Sequence, residues 1–327
     1  MNLPEKVRAL FTTYQGIFKN SLRSPSLDVQ KYATKVQSTS STNTYAWLGQ
    51  STIFRKWVGD RVAQTVARLG YVIPNQTWEM TQVVPRESIE DDEVGIFTPL
   101  IEDMGLSAAN HPGQQVMSAY YSGDVNLCFD GKAFFAKDHP LKFKQDGTPA
   151  DGTPTFSNLL TPASEEDYGP KWVVAALGRP IKPVIYQERR AAHLVSKTAL
   201  DDETVFRTNN FEFGADKRDA VGYTLPQFAV MSRKPLTAQN LAEAFSALEK
   251  MVGDKGQPLG IVPTDLICGP ELRNEAEELL LTDRTTGGKS NRWKGRLNLT
   301  VTQYFGPLIE GPENEVPEEE EEAPEQQ

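Results

Sequence analysis

The amino-acid sequence predicts a mixed α+β fold, and three observations carry that expectation. An apolar stripe at helical spacing opens the chain. A polar and apolar alternation of strand period lies between residues 64 and 84, and the last third runs helix, strand, helix, strand, the order of an α/β layer.

Residues 4–22 place Val7, Leu10, Phe11, Tyr14, Ile17 and Phe18 on one helical face, with Pro4 suited to a first turn. The Ser/Thr-rich stretch 37–44 that follows is too poor in apolar residues to carry a packed element, so the helix reads as an N-terminal arm on a flexible join. The stripe fits a helix packed on its own domain equally well, because periodicity shows a buried face but not what buries it. Between 64 and 84, Trp78 and Met80 alternate with Thr77, Glu79 and Thr81, and Ile73-Pro74-Asn75 interrupts two extended runs, which predicts a long projecting hairpin. Ser88, with Asp91 and Glu93 after it, signals a helix start with an acidic first turn. Val94, Phe97, Ile101 and Met104 continue that helix, and a second run over 116–120 is expected beyond a break near Gly105 or Pro112. Residues 129–233 read as β-rich and irregular, with short strands over 183–187 and 225–230. Thr237 caps a helix striped by Leu241, Phe245, Leu248 and Val252 and ending at Gly253. A buried strand over 265–268, a helix from Pro270 through Leu281 and a strand over 297–304 complete the layer. No repeat of solenoid or propeller period is present.

Composition narrows the function classes. At 327 residues, 39% hydrophobic and 9% aromatic, the chain can bury a sizeable core, and its length suggests about two domains. No run approaches the ~18 uninterrupted apolar residues of a membrane helix. The N-terminus has neither the basic flank nor the apolar run of a secretory signal, so cytoplasmic synthesis is expected. Lys and Arg number 34 against 44 Asp and Glu, a net of −10. From Gly306 onward there is no Lys or Arg but there are nine glutamates: Glu310, Glu313, Glu315, the run 318–322 and Glu325. Without them 35 acids face 34 bases, a net of −1, so the acidity belongs to a Pro/Glu-rich tail and the body is near neutral. That balance argues against a generally basic nucleic-acid binder. The tail reads as a solvated extension, or as a segment that docks on a partner's basic patch.

Sites for chemistry are hard to find. Cys128 and Cys268 sit far apart in apolar settings, as small buried hydrophobes do. Gly287-Gly288-Lys289-Ser290 approaches a phosphate loop, but the first glycine of that fingerprint would fall at Asp283, and a loop and strand follow where a helix is needed. His111, His139 and His193 lack His or Cys partners at metal-binding spacing. The acids at 90–93 and 201–203 suit helix starts and turns. No catalytic residue, metal or cofactor is therefore expected, with Asp138, His139 and His193 only nominal candidates for a hydrolase. Basic residues cluster at Arg189-Arg190, at Lys217-Arg218 and over Lys289, Arg292, Lys294 and Arg296, with Trp293 inside the last group. A nucleic-acid interface is the alternative this group allows. The near-neutral body favours protein contact instead, through Arg292 and Trp293.

Several passages together resemble the major capsid (major head) proteins of Mu-like transposable tailed phages. They are residues 129–135 (FDGKAFF) with Asp138-His139-Pro140, residues 182–190 (KPVIYQERR), and Phe213-Gly214-Ala215-Asp216 with Arg218 and Gly222-Tyr223. Cys268-Gly269-Pro270-Glu271-Leu272, then Ala276 and Leu279-Leu280, and finally residues 287–295 (GGKSNRWKG) complete the series. No single passage is diagnostic, but their joint order is specific. The resemblance implies the Hong Kong 97-like α+β fold: an N-terminal arm over 1–45, an extended-loop hairpin over 46–87, and a peripheral domain with a spine helix over 88–124 and 170–235. An axial domain would take 125–169 and 236–311, and the acidic tail 312–327. Pro99, Gly105 and Pro112 would kink or split the spine.

The function so implied is self-assembly through hexamers and pentamers into an icosahedral head, as a virion component made and assembled in the bacterial host cytoplasm. The implied partners are further copies of the chain, a scaffolding protein, a head protease, a portal, a decoration protein, and packaged double-stranded DNA held without sequence-specific contact. No membrane is involved. Phe11, Tyr14 and Phe18 on the arm, Tyr71, Trp78 and Met80 on the hairpin, and Arg292 and Trp293 are the expected intersubunit residues, because buried aromatics carry a disproportionate share of interface energy.

Overall fold

The computed structural model describes residues 3–45, 71–91, 94–142, 150–254, 256–284 and 287–309. Helix α1 (Leu3–Ser21) leads through α2 (Val29–Tyr32) into strand β1 (Ala33–Gln37). Strands β2 (Thr42–Tyr45) and β3 (Tyr71–Pro74) bracket residues 46–70 and are followed by β4 (Gln76–Pro85), α3 (Arg86–Glu90) and α4 (Val94–Tyr121). Three short strands come next, β5 (His139–Pro140), β6 (Thr155–Phe156) and β7 (Leu159–Leu160), then β8 (Trp172–Ala175). The long strands β9 (Val184–Lys197) and β10 (Asn210–Tyr223) flank α5 (Glu203–Thr208). The chain ends with β11 (Ala229–Ser232), α6 (Ala238–Glu249), β12 (Asp265–Cys268), α7 (Arg273–Leu281) and β13 (Asn298–Val301).

Two sheets organise these elements. The first has the order β1-β9-β10-β4. Strand period turns Phe211, Phe213 and Ala215 of β10 to one face, where they meet Ile101, Met104 and Ala108 of α4 and Val7, Leu10, Tyr14 and Phe18 of α1 in a single cluster. Helix α1 thus spends its apolar stripe on its own chain. The two helices approach so closely at Gly105 that a Cβ there would stand 2.6 Å from Ser21 Cβ and 2.9 Å from the Phe18 carbonyl oxygen.

The second sheet, β13-β12-β8-β11-β7, is covered on both faces. Its central strand shows why. Trp172, Val174 and Ala176 point to a cluster with Leu241, Ala244 and Leu248 of α6 and Ala276 and Leu280 of α7. Val173, Ala175 and Leu177 point the other way, to Val116, Met117 and Tyr120 at the end of α4 and to Val184, Tyr186 and Tyr223 of the first sheet. A strand buried on both faces reads as a continuous apolar run, which 172–177 is.

Several expectations need correction. The run 71–74 does not form a hairpin with β4: β3 pairs antiparallel with β2, and β4 pairs with β10 along its whole length. The alternation of Trp78 and Met80 is that of an edge strand, because pairing with β10 covers their face with α1 and α4, which a free two-stranded hairpin could not do. The expected extended loop over 46–87 falls partly outside the described residues, at 46–70. Helix α4 runs unbroken through Pro99, Gly105 and Pro112. An interior proline costs about 3 kcal/mol, and the burial of Ile101, Met104, Val116, Met117 and Tyr120 along the helix offsets it. Ser88 lies inside the separate helix α3 and caps nothing. The run 225–230 is a 3-10 turn (Pro226–Phe228) that leads into β11. Strands β8 and β11, both within the span 170–235, pair with each other in the second sheet, and β8 pairs on its other side with β12. Thr237 does cap α6, its hydroxyl accepting from Asn240 N at 3.3 Å, and the strand over 265–268 and the helix ending at Leu281 lie where expected.

Candidate assembly surfaces and the buried groups behind them

The inward face of β10 does not stay apolar. After Phe211, Phe213 and Ala215 the same face carries Lys217 and Asp219, which are 6% and 0% exposed. Charges taken out of water must be paired and hydrogen-bonded. Lys217 Nζ lies 2.6 Å from Asp219 Oδ2, the Tyr186 hydroxyl donates to the same oxygen at 2.6 Å, and Gln115 Nε2 donates to Oδ1 at 3.2 Å. Lys217 Nζ also lies 3.0 Å from His111 Nδ1 on α4, and the Trp78 ring of β4 closes edge-on against the His111 ring, centroids 4.7 Å apart. Burial, with the Lys217 ammonium second, lowers the His111 pKa to about 4, so the ring is neutral and can accept from lysine. Burial likewise lowers the Lys217 pKa against the pull of Asp219. This network ties β4, α4, β9 and β10 together. It was missed in the sequence, although the period-two continuation from Phe211 to Asp219 was its signal.

The passage 129–140 forms a closed clip. Asp130 Oδ2 meets His139 Nδ1 at 2.6 Å with both side chains buried, and Asp130 Oδ1 accepts from Lys132 N at 3.1 Å across the turn at Gly131, whose φ is 77°. Asn158, fully buried, donates to the carbonyls of Phe134 and Pro226 at 2.8 and 2.9 Å. Phe134 stacks on Tyr223, centroids 4.4 Å apart. His139, one of the nominal hydrolase candidates, is thus sealed in structure with 0% exposure. Asp138 pairs with Lys132, and His193 lies across the strand from Asp216 at 3.2 Å. Cys128 and Cys268 are buried, and burial raises both thiols, Cys268 to about 12, so neither is poised as a nucleophile.

The residues expected at interfaces divide. Tyr14 and Phe18 are 0% and 1% exposed inside the chain's own cluster, with Tyr14 edge-on to Phe213. Trp293 is buried against Phe245, centroids 5.5 Å apart, so it offers no face for stacking on a base. An aromatic at helical or loop spacing reports burial without saying by which chain, and here the answer is its own. Phe11, Tyr71, Trp78 and Met80 are half-buried, the Tyr71 oxygen accepting from Tyr223 N at 3.1 Å, and Arg292 is exposed. Lys294, beside it, pairs with Asp283, which reduces the free positive charge of the segment.

The motif passages are therefore structural knots of one fold. Residues 7–305 match the profile of a family described as Mu-like prophage major head subunit gpT. The chain belongs to that family. This head subunit is 36% identical over 305 residues to the major capsid protein of Escherichia phage Mu, across 92% of this chain and 99% of the phage Mu protein. It is also 36% identical over 277 residues to the Mu-like prophage FluMu major head subunit of Haemophilus influenzae, across 85% of this chain and 89% of that one. Against a chain of the procapsid of bacteriophage JBD30 the TM-score is 0.80 at 36% identity, covering 92% of the head subunit and 99% of that chain. The Hong Kong 97-like α+β fold expected from the motifs is the one found.

Proposed function

We infer that this head subunit is a major capsid protein that polymerises into the icosahedral head shell of a Mu-like phage. One observation carries the reading: the family match runs from residue 7 in α1 to residue 305, past the last strand of the second sheet, and so takes in both sheets. The finer assignment is that copies join as hexamers and pentamers, with α4 and the first sheet forming a peripheral body and the second sheet with α6 and α7 the axial body. Heterologous contacts of this kind close into rings because the rotation closes. Arg292, Phe11, Tyr71, Trp78 and Met80 are the proposed contact residues that keep exposed area. Scaffolding protein, head protease, portal, decoration protein and enclosed double-stranded DNA are its proposed partners, with assembly in the host cytoplasm.

Electron microscopy and size-exclusion chromatography of the purified protein test the reading. Capsomers, tubes or shells are expected. A chain that stays monomeric at every concentration and salt, and shifts DNA in a salt-sensitive manner, would replace it with the nucleic-acid alternative.

A further inference from the structure

The β9–β10 hairpin ends in a tip that is apolar where a free monomer gains nothing from being so. Phe206 on α5 is 85% exposed, and Leu200 just before the helix is 39% exposed. The exposure is built in. The Asp202 carboxylate caps α5 by accepting from Thr204 N at 3.0 Å, and Asn209 closes the helix at φ 54°. Between these caps Val205 is buried, and one residue on, at about 100° around the helix, Phe206 faces away from the core. A phenyl ring held in water forgoes the burial that would stabilise it.

A receptor for such a ring lies on the same tip. Val7 and Arg8 of α1 and residues 198–201 enclose an open cleft of about 410 Å³, whose apolar walls are Val7, Ala199 and Leu200 and whose charged residues are Arg8 and Asp201. The knob is flanked by charges too, since Glu203 and Arg207 lie one helical turn apart, 3.8 Å between Oε1 and Nη1, and both are largely exposed. The two sets of charges are complementary. Glu203 can face Arg8 while Arg207 faces Asp201.

We propose that Phe206 of one copy seats in the Val7–Leu200 cleft of a second copy of this chain, making the β9–β10 tip an intersubunit contact of the head. The proposal rests on the assembly reading and adds a specific contact to it. A second copy is the fitting occupant because knob and cleft occur together on every subunit. Each tip can both give and receive, so the contact closes as a pair or a small ring. In the sequence this tip shows only as a helix-start or turn signal at the acids 201–203, since one phenylalanine in a six-residue helix has no periodic signal.

The test uses full-length protein. Phe206→Asp changes a side chain that packs on little of its own subunit, so its melting temperature should stay within about 2 °C of the parent. Its critical concentration for assembly should rise about tenfold or more, as loss of an interface anchor does. An equimolar mixture of Phe206→Cys and Ala199→Cys subunits, assembled and then oxidised, should give covalent multimers well above either variant alone. Cys128 and Cys268 are buried and do not interfere. Parent particles that form while Phe206→Asp assembles at an unchanged concentration overturn the contact and leave the assembly reading intact. If Phe206→Asp does not fold, the cysteine mixture decides, and assembled particles without the mixed disulfide overturn the contact. A parent chain that never associates overturns the assembly reading itself, and the contact with it.

Discussion

At the scale of single residues, the positions that look most like chemistry serve as fastenings. Asp130 and His139 form a pair that could be taken for part of a catalytic site, yet both are buried and each is fixed by further bonds to Lys132 N, Phe134 O and Asn158. Asp130→Ala strands the imidazole, and a loss of about 1–3 kcal/mol is expected, read as a lower denaturant midpoint at unchanged slope. His111 yields a pH prediction. Its pKa is about 4 in the native chain against 6.5 ordinarily, so between those values the unfolded chain binds a proton that the native chain does not. Stability from this group is full above pH 6.5 and falls as the pH drops toward 4, by an amount on the order of 3 kcal/mol. Urea unfolding across that window should show a slope that His111→Gln removes, and an equal slope in both proteins would contradict it. The residue types of these knots are readable from the motif, but their partners are not. Asn158 and Pro226 are distant in sequence from the clip they close.

At the scale of elements, burial overrules local preference. The sequence predicts a broken spine from Pro99, Gly105 and Pro112, and α4 continues through all three because one face of it is packed from Phe97 to Tyr120. Gly105 reads as a helix breaker but is a point of contact, sitting where α1 crosses closest. Gly105→Val should therefore destabilise the subunit by about 1–3 kcal/mol, since the Phe18 carbonyl cannot move aside without shifting α1. Limited proteolysis should then cut first within residues 3–21; a variant in which that region keeps its parent resistance would show that the helices can part without cost. The apolar stripe of α1, the cap at Thr237 and the buried strand over 265–268 were legible because each is a local signal. Partner choice for β3 and β4 was not, because strand alternation is the same whichever neighbour the strand joins.

At the scale of the whole molecule, charge and connectivity set the terms. The chain crosses between the two sheets repeatedly, with β8 and β11 joining the second sheet from either side of the β9–β10 hairpin. Such crossings leave no compositional seam. The charge division, by contrast, was fully legible: the nine glutamates from Glu310 onward account for all but one of the ten net negative charges. These residues lie outside those described, and their effect on association follows from electrostatics alone. Removing 310–327 should let subunits associate at lower salt, because a net of −1 repels far less than −10. The advantage should vanish near 1 M salt, where the screening length is about 3 Å. Light scattering across a salt series measures it, and identical curves for both chains would leave the tail without influence on association.

The strand order β1-β9-β10-β4 also has a meaning in time. Strands β1 and β4 have no sheet to join until residues 184–223 have been made. At about 5–20 residues per second that interval is roughly ten to thirty seconds, during which the stripe of α1 has no Phe213 to rest on. Pairings so distant along the chain also make folding slow once synthesis ends. A half-made subunit therefore has neither the hairpin tip nor the finished sheets with which to meet a neighbour. The topology acts as a clock that holds each chain out of the growing head until its last strand is in place.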